Sequence, residues 1–306
     1  MLAGPIRLIF NPRARNGRAR RWLAPIRRAF ADAGVDVEAC PTEAPGHATD
    51  LARACTSGTC IAVGGDGTIH EVVNGLCTGE ADVVFGVLPL GTGNDVAKMV
   101  GMPYPKPLEA VKALLHAPVV AADYGKIRWV DAEGTHERVF FNQVGAGFDA
   151  AVAAIAPDYK QVPGVVGYLI AVLKTLGGWR GPEVTVDVGE ERWFAGKMLL
   201  ITASNGRCSG GGFYLTPNAS LVDGHLDVCL IRDATRARIL RLLPTALNGT
   251  HVTAPEVEIR PLPGVRFTSA RPLPLHADGE LLSTTATELT VDVVPAGLRV
   301  LAPNVV

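Results

Sequence analysis

Apolar positions in the first 120 residues alternate between short continuous runs and runs with helical spacing. Continuous runs predict buried strands over residues 6–10, 35–39, 59–63 and 83–88. Helical spacing follows at residues 22–30, 48–51, 69–76, from 96 onward and at 108–115. Strands that alternate with helices in this way predict a parallel, three-layer α/β domain over residues 1–121.

The pattern changes after Pro118, where strand-like runs dominate and glycine or proline separates many of them. The runs are 119–130, 139–144, 184–188, 193–203, 226–231, 257–259, 265–268 and 289–293. Helical insertions are predicted at 165–176 and 234–247. These runs predict an antiparallel β-sandwich domain over residues 122–293. Because no linker is visible, we expect the two domains to share an interface and a cleft.

Composition narrows the class of protein. Hydrophobic residues make up 48% and charged residues 19% of the 306 positions, as in an ordinary globular protein. The net charge of −1 gives no field that attracts nucleic acid, so we expect no nucleic-acid partner. The six cysteines form no C-x-x-C pair, and the N-terminus shows no signal-peptide pattern. Both observations favour a cytoplasmic protein with reduced thiols.

The longest uncharged apolar run, residues 162–173, ends at Lys174 and is too short to span a membrane. It is either part of the core or an apolar rim that contacts the inner face of a membrane. In the second case the protein associates peripherally and transiently with the lipid surface.

The candidate chemistry begins at Gly64-Gly65-Asp66-Gly67-Thr68, between a predicted strand and a predicted helix. Such a turn leaves the first N–H groups of the helix unpaired, and glycines let a phosphate approach them closely. A carboxylate beside a phosphate repels it unless a cation lies between them, so Asp66 indicates Mg²⁺. The alternative is a tight turn in which Asp66 caps the helix.

Two more polar turns follow predicted strands, and all three would gather at the carboxyl ends of a parallel sheet. Five arginines from Arg13 to Arg21 surround the turn after the first strand. Their position beside a predicted helix N-terminus favours contact with a polyphosphate over a merely solvated face. The other turn, residues 89–95, contains Gly91-Thr92-Gly93. It is not a dinucleotide fingerprint, because Val96 stands where the third glycine belongs.

Six stretches, taken in order, resemble the diacylglycerol kinase catalytic-domain family, in particular its soluble bacterial lipid kinases. They are Asn11-Pro12, Thr42 with Gly46-His47-Ala48, Gly64-Gly65-Asp66-Gly67-Thr68, Pro89-Leu90-Gly91-Thr92-Gly93-Asn94-Asp95, Ser220-Leu221-Val222-Asp223-Gly224-His225-Leu226-Asp227-Val228 and Asp278-Gly279-Glu280. NAD kinases and phosphofructokinases share the glycine-aspartate turn. The last two stretches favour the lipid kinases.

The resemblance implies a nucleotide-binding first domain, a lipid-substrate second domain and an active site in the cleft between them. It also implies that the C-terminal segment 294–306 returns to the first domain through a strand near 298–301. Carried over by position, the residues that contact ATP are Asn11, Pro12, Arg13, Ala14, Arg15, Thr42, Gly65, Asp66, Gly67, Thr68, Ile69, His70, Glu71 and Thr92.

The resemblance further implies two Mg²⁺ sites and a catalytic base. Asp66 and Asp95 would organise the catalytic Mg²⁺ through bound water, and Glu280 would accept the proton of the lipid hydroxyl. A structural Mg²⁺ would be held by the carbonyls of Ser220 and His225 and the carboxylate of Asp223. Taken alone, Glu280 could be an ordinary turn residue, and Asp223 could belong to a hairpin turn.

The function implied is that of an ATP-dependent lipid kinase of phospholipid metabolism. The acceptor stays open among diacylglycerol, a sphingoid base, ceramide, phosphatidylglycerol and other amphiphilic alcohols. The alternatives are an NAD kinase-like phosphotransferase and a non-catalytic lipid- or nucleotide-binding protein. The resemblance also allows a homodimer.

Two departures from the family bear on this function. Arg15 stands near a usual glycine, which predicts a first loop of different shape. His276-Ala277 stands where relatives often have Gln-Val, which bears on substrate preference.

Overall fold

A computed structural model describes residues 2, 4–78, 82–159, 162 and 165–304. The chain divides into two compact units. The first unit comprises Met1–Tyr124, Leu221–Asp223 and Pro295–Val306, and the second comprises Gly125–Ser220 and Gly224–Val294.

The first unit is built on parallel strands that alternate with helices. The strands are β1 (Ile6–Phe10), β2 (Glu38–Pro41), β3 (Ser57–Gly64) and β4 (Asp82–Pro89). The helices are α1 (Leu23–Asp32), α2 (His47–Arg53), α3 (Asp66–Cys77), α4 (Asp95–Met99) and α5 (Pro107–His116). The sheet order is β4-β3-β1-β2 with every pair parallel, so the carboxyl ends of these strands lie along one edge.

Burial of apolar side chains explains why these segments form this sheet. Leu8, Ile61 and Phe85, on the three adjoining strands β1, β3 and β4, are fully buried. On α1, Ile26 and Phe30 are also fully buried, as their spacing of four residues predicts.

The second unit is rich in strands and carries three α-helices in its described part, together with short 3-10 helices at Ala156–Tyr159 and Thr250–Thr253. The strands are β5 (Val119–Asp131, whose residues up to Tyr124 belong to the first unit), β6 (Gly134–Phe140), β7 (Gln143–Gly147), β8 (Glu183–Val188), β9 (Glu191–Ser204), β10 (Leu226–Arg232), β11 (Val257–Leu262), β12 (Gly264–Ala277) and β13 (Glu280–Leu301). The helices are α6 (Phe148–Ile155), α7 (Val165–Gly178) and α8 (Arg236–Ala246). The strands β11-β10-β9-β7-β12-β13 pair in this order and antiparallel, and β8 pairs with both β9 and β12.

The last strand, β13, ends within the first unit. There Arg299 and Val300 pair in parallel with Val84 and Phe85 of β4. The predicted fold class, an α/β part followed by a strand-rich part, is confirmed by this architecture.

The structure differs from the predicted elements in several places, including β12 and β13, which are much longer than the predicted runs 265–268 and 289–293. The second strand begins at Glu38 and not at residue 35, because the Val35 N–H closes the turn after α1 by donating to the Phe30 carbonyl at 3.0 Å. The run 139–144 contains the end of β6 and the start of β7, separated by a bend. Helix α6 was not predicted, although Phe148, Val152 and Ile155 have the i, i+4, i+7 spacing of a helix.

Candidate functional site

The glycine turn between β3 and α3 packs against the turn that follows β4. The Leu90 N–H donates to the Gly64 carbonyl at 2.7 Å. A Cβ placed on Gly65 would lie 3.0 Å from the Cα of Gly91, and one on Gly91 would overlap with the Cα of Gly65. Both glycines are therefore required by the close approach of two backbones, which is the type of geometry that leaves N–H groups open to a phosphate.

Asp66 is the first residue of α3, whereas the N-cap is Gly65. The Asp66 carboxylate reaches the second turn, where Oδ2 accepts the Asn94 N–H at 2.7 Å and Oδ1 accepts the Val96 N–H at 3.4 Å. Burial, and to a lesser extent the charge of Asp95, raises the pKa of Asp66 to about 6, although the backbone N–H bonds oppose this change.

Asp95 is buried at the start of α4, and its Oδ1 accepts a hydrogen bond from Lys98 Nζ at 2.8 Å. A Cβ on Gly93 would lie 2.9 Å from Asp66 Oδ2 and 3.7 Å from Asp95 Oδ2, so both carboxylates border the space above Gly93. These two predicted metal-organising residues are therefore brought together within the first unit. Because each already accepts protein hydrogen bonds, the pair suits a hydrated Mg²⁺ better than a fully dehydrated one.

Other predicted nucleotide contacts lie at the carboxyl ends of the neighbouring strands. Asn11 follows β1, and its Nδ2 donates to Thr68 Oγ1 at 3.0 Å. Thr42 follows β2 and donates its N–H to the Phe10 carbonyl at 2.8 Å. Thr92 follows β4 and is exposed.

The first loop contains Pro12, Arg13, Ala14 and Arg15. The Arg13 N–H donates to Asn11 Oδ1 at 2.9 Å, and the side chains of Arg13 and Arg15 are exposed. Arg15 has a φ of 51°, which shows that the loop takes the left-handed conformation here without a glycine.

Three residues of the predicted nucleotide segment use their side chains elsewhere. Ile69 is fully buried in the core, and His70 is 8% exposed beside Asn74. The Glu71 Oε2 accepts the Ala48 N–H at 3.1 Å, near the start of α2. A ligand at the turn could therefore contact Ile69, His70 and Glu71 only through their backbone. Gly67, in contrast, is itself part of the turn.

In the second unit, Glu280 begins β13 and is exposed. It follows a tight turn in which Asp278 and Gly279 have φ values of 50° and 85°. The Asp278 carboxylate accepts the N–H groups of Phe141, Asn142 and Gln143 at 2.8 to 3.0 Å. Asp278 therefore fixes the turn that carries Glu280 and also bends the chain between β6 and β7, a role that the sequence did not reveal.

Glu280 lines a cavity of about 520 Å³ that lies entirely in the second unit. Most of its walls are apolar and come from α6, α7, α8 and β9, including Phe148, Val172 and Leu242. Near Glu280 in the chain, buried His276 also lines the cavity, and its Nε2 lies 3.1 Å from Asp149 Oδ2. An apolar cavity with a few polar groups is typical of a small-molecule binding site.

The predicted structural metal ligands, Ser220, Asp223 and His225, lie between β9 and β10. Within the described residues, no group of three or more His, Cys, Asp or Glu side chains is placed to hold a metal ion. The metal site that the resemblance implies is of another kind, because it is built mainly from backbone carbonyls and contains only one carboxylate, that of Asp223. Nearby in the sequence, the Leu221 carbonyl accepts the Asp123 N–H at 2.7 Å, and Asp123 Oδ1 accepts the Ala296 N–H at 2.7 Å.

Of the run predicted as core or membrane contact, residues 162–173, residues 165–173 belong to α7. Pro163 and Gly164 lie outside the described residues. Helix α7 buries Ala171, Val172 and Leu176, whereas Val166, Ile170 and Leu173 are 54%, 37% and 56% exposed. One face thus belongs to the core and another presents an apolar stripe. In the described part of the chain, no helix is long and apolar enough to cross a membrane.

Comparison with known proteins agrees with this architecture. Residues 5–127 match the family model of the diacylglycerol kinase catalytic domain, and residues 142–302 match that of the YegS C-terminal NAD kinase beta sandwich-like domain. A diacylglycerol kinase of Bacillus subtilis (strain 168) is 28% identical over 278 residues, covering 90% of this chain and 89% of the relative. A YegS-like lipid kinase of Pseudomonas aeruginosa (strain UCBPP-PA14) is 32% identical over 247 residues, covering 80% and 76%.

Solved structures share the fold. A diacylglycerol kinase from Bacillus anthracis str. Sterne has a TM-score of 0.73 at 20% identity, with 99% of both chains covered. Yeast NADH kinase complexed with NADH has a TM-score of 0.55 at 10% identity, with 97% of this chain and 82% of that chain covered. The two family models together account for most of the sequence, and the chain belongs to the diacylglycerol kinase catalytic-domain family of kinases, whose relatives include YegS-like lipid kinases.

Proposed function

We propose that this protein transfers the γ-phosphoryl group of ATP to the hydroxyl group of a lipid. The main support for a lipid as the acceptor is the apolar cavity that Glu280 lines. Such a cavity suits a hydrocarbon chain, and a carboxylate beside it suits the abstraction of a proton from an alcohol.

The first unit supplies the nucleotide site in this proposal. Backbone N–H groups at Gly65, Gly67 and Thr68 bind phosphate oxygens, while exposed Arg13 and Arg15 offset the charge of the triphosphate. The packing of Gly65 against Gly91 supports this assignment, because it fixes the turn before a ligand arrives. Preorganised donors of this kind supply most of what phosphoryl transfer requires.

Asp66 and Asp95 would hold a catalytic Mg²⁺ through water. The bound ion would neutralise charge on the phosphates. The raised pKa of Asp66 supports a cation site, because a buried carboxylate beside a second one is stabilised by a neighbouring positive charge. Ser220, Asp223 and His225 are proposed to hold a second, structural Mg²⁺.

Glu280 is the proposed general base. Its carboxylate accepts the proton of the lipid hydroxyl, and the oxygen then attacks the γ-phosphorus as the bond to ADP breaks. The turn anchored by Asp278 through three backbone N–H groups holds Glu280 in position without occupying its carboxylate.

Contact with a lipid surface follows from the nature of the substrate. The exposed stripe on α7, formed by Val166, Ile170 and Leu173, is the proposed contact, and Val172 of the same helix lines the cavity. One helix would then link the bilayer surface to the substrate site. This arrangement also favours a lipid over a dinucleotide acceptor, the alternative raised by the fold of yeast NADH kinase.

The test is phosphoryl transfer from γ-labelled ATP in the presence of MgCl₂, with lipid alcohols in mixed micelles and with NAD as the competing acceptor. We expect label in a lipid product and none in NAD. Label in NAD, or in no acceptor of the panel, would refute the proposed function.

A further inference from the structure

The cavity that Glu280 lines has an exposed mouth and a buried interior. The exposed residues among its described lining are Gly210, Gly279, Glu280 and Leu281, so the cavity opens to solvent where these residues lie. The buried lining residues are mainly apolar; Val172, for example, is 2% exposed. A lipid whose hydroxyl group reaches the Glu280 carboxylate therefore places its hydrocarbon chain in the interior.

The volume of the cavity limits how much hydrocarbon it can hold. If a methylene group takes about the 30 Å³ that a water molecule takes in the liquid, the cavity of about 520 Å³ holds about 17 carbon atoms. This is the space of one long chain. The two chains of dioleoylglycerol need about 1,000 Å³ on the same measure, which is twice the volume of the cavity.

The helices that wall the interior are held in place by hydrogen bonds. At the start of α8, Arg236 Nη2 donates to the carbonyl oxygen of Gly177, at the end of α7, at 2.6 Å. Arg238 of α8 donates through Nε and Nη2 to the carboxylate of Glu256, just before β11, at 2.8 and 2.9 Å. An outward movement of α8 that made room for a second chain would break these contacts, so the walls oppose a larger ligand.

Resting on the proposed lipid kinase function, we propose that the acceptor is a lipid alcohol with a single hydrocarbon chain of at most about 17 carbon atoms beyond its polar group. A monoacylglycerol or a sphingoid base has this form. Diacylglycerol, ceramide and phosphatidylglycerol have two chains, one of which would stay outside the cavity. The volume enclosed by α6, α7 and α8 then determines which chain length binds best.

The test varies chain length and chain number with the wild-type protein. Binding of labelled monoacylglycerols of increasing length is measured without ATP by equilibrium dialysis, with cyclodextrin as carrier and each affinity referred to the free lipid in water. Each methylene that enters the cavity should strengthen binding about fourfold, and the gain should stop near about 17 carbon atoms. The second chain of dioleoylglycerol should add at most roughly tenfold to the affinity of monooleoylglycerol, because it gains little burial. With γ-labelled ATP, monooleoylglycerol should be phosphorylated in preference to dioleoylglycerol.

Variants assign the length limit to the cavity. Leu242→Ala removes part of a wall and should move the limit to a chain about three carbon atoms longer, whereas Val172→Phe fills space and should shorten it by about two. Leu240→Ala is the matched control and should keep the limit of the wild type, because Leu240 lies on the same helix as Leu242 but is 42% exposed and is not part of the described lining. Melting curves check that each variant is folded, and the length series of the wild type needs no substitution.

The outcomes separate this inference from the proposed function. A gain that continues well beyond the limit, a limit that stays the same in folded Leu242→Ala and Val172→Phe, or preferential phosphorylation of dioleoylglycerol would overturn the inference, and the last result would still support a lipid kinase. A limit that moves with the volume of the cavity, without phosphorylation of any lipid, would support a single-chain ligand and refute the kinase proposal. Binding of no lipid would overturn both.

Discussion

Replacing Asp66 with asparagine tests the electrostatics of the glycine turn, because it removes a charge and nearly keeps the shape of the side chain. Burial and the charge of Asp95 raise the pKa of Asp66 to about 6 in the folded protein, whereas an unfolded chain has an aspartate pKa of about 3.9. The folded state therefore binds more protons between about pH 4 and pH 6, and the stability of the wild type falls as the pH rises through that window.

The magnitude follows from the difference of about two pKa units, which corresponds to about 3 kcal/mol of destabilisation above pH 6. In Asp66→Asn, one side-chain oxygen can still accept the Asn94 N–H, whose bond is 2.7 Å long. The amide group then faces the Val96 N–H, whose weak bond of 3.4 Å is lost at a cost of about 1–2 kcal/mol. The variant should therefore be more stable than the wild type by about 1–2 kcal/mol at pH 8, from the balance of these terms.

The assay is urea unfolding of both proteins with EDTA present, at pH 8 and at pH 4.5, followed by circular dichroism. The advantage of Asp66→Asn should shrink towards zero at pH 4.5, and the variant should lose phosphoryl transfer at both pH values. Asp36→Asn, at an exposed carboxyl of the same unit, is the control for a change of net charge. A variant that is less stable at pH 8, or a difference that does not depend on pH, would contradict a raised pKa of Asp66 in the folded protein.

Three further predictions concern the turn, the second metal and the lipid surface. Gly91→Ala should destabilise the protein by about 1–3 kcal/mol and weaken ATP binding, because the new Cβ overlaps with Gly65. Binding is measured by calorimetry with a non-hydrolysable ATP analogue, and an unchanged affinity would argue against the turn as the phosphate site. Asp223→Ala should abolish the rise in melting temperature that MgCl₂ produces without nucleotide; a rise equal to that of the wild type would remove Asp223 from the metal proposal. Leu173→Lys should reduce co-sedimentation with neutral lipid vesicles several-fold, since it places a charge in the exposed stripe of α7. The control Lys126→Ala is expected to sediment like the wild type. Equal sedimentation of Leu173→Lys and the wild type would contradict the membrane role.

Local sequence patterns were enough to predict the strands and helices of the first unit. The turn from Gly64 to Thr68 joins an apolar run to a helical spacing, and all the residues that define it are neighbours in the chain. The proximity of Asp66 and Asp95 also follows from local facts, because each follows a strand and β3 and β4 are adjacent and parallel. Periodicity and glycine placement therefore carry enough information for this edge of the sheet.

The cavity could not be predicted in the same way, because its walls come from segments that are far apart in the chain. His276 pairs with Asp149, 127 positions earlier. Helices α7 and α8 were predicted only as separate elements, and α6 was not predicted. Asp278 was assigned only to a motif, although its carboxylate binds three backbone N–H groups 135 to 137 positions away. Long-range hydrogen bonds of this kind leave no periodic signal.

The decisive measurement for the proposed chemistry is the turnover number of Glu280→Gln with γ-labelled ATP and a lipid that the wild type phosphorylates. We expect a folded protein that binds ATP normally and is roughly 10²- to 10⁴-fold slower than the wild type, the range expected for loss of a general base. Turnover close to that of the wild type would contradict the proposal that this carboxylate activates the lipid hydroxyl.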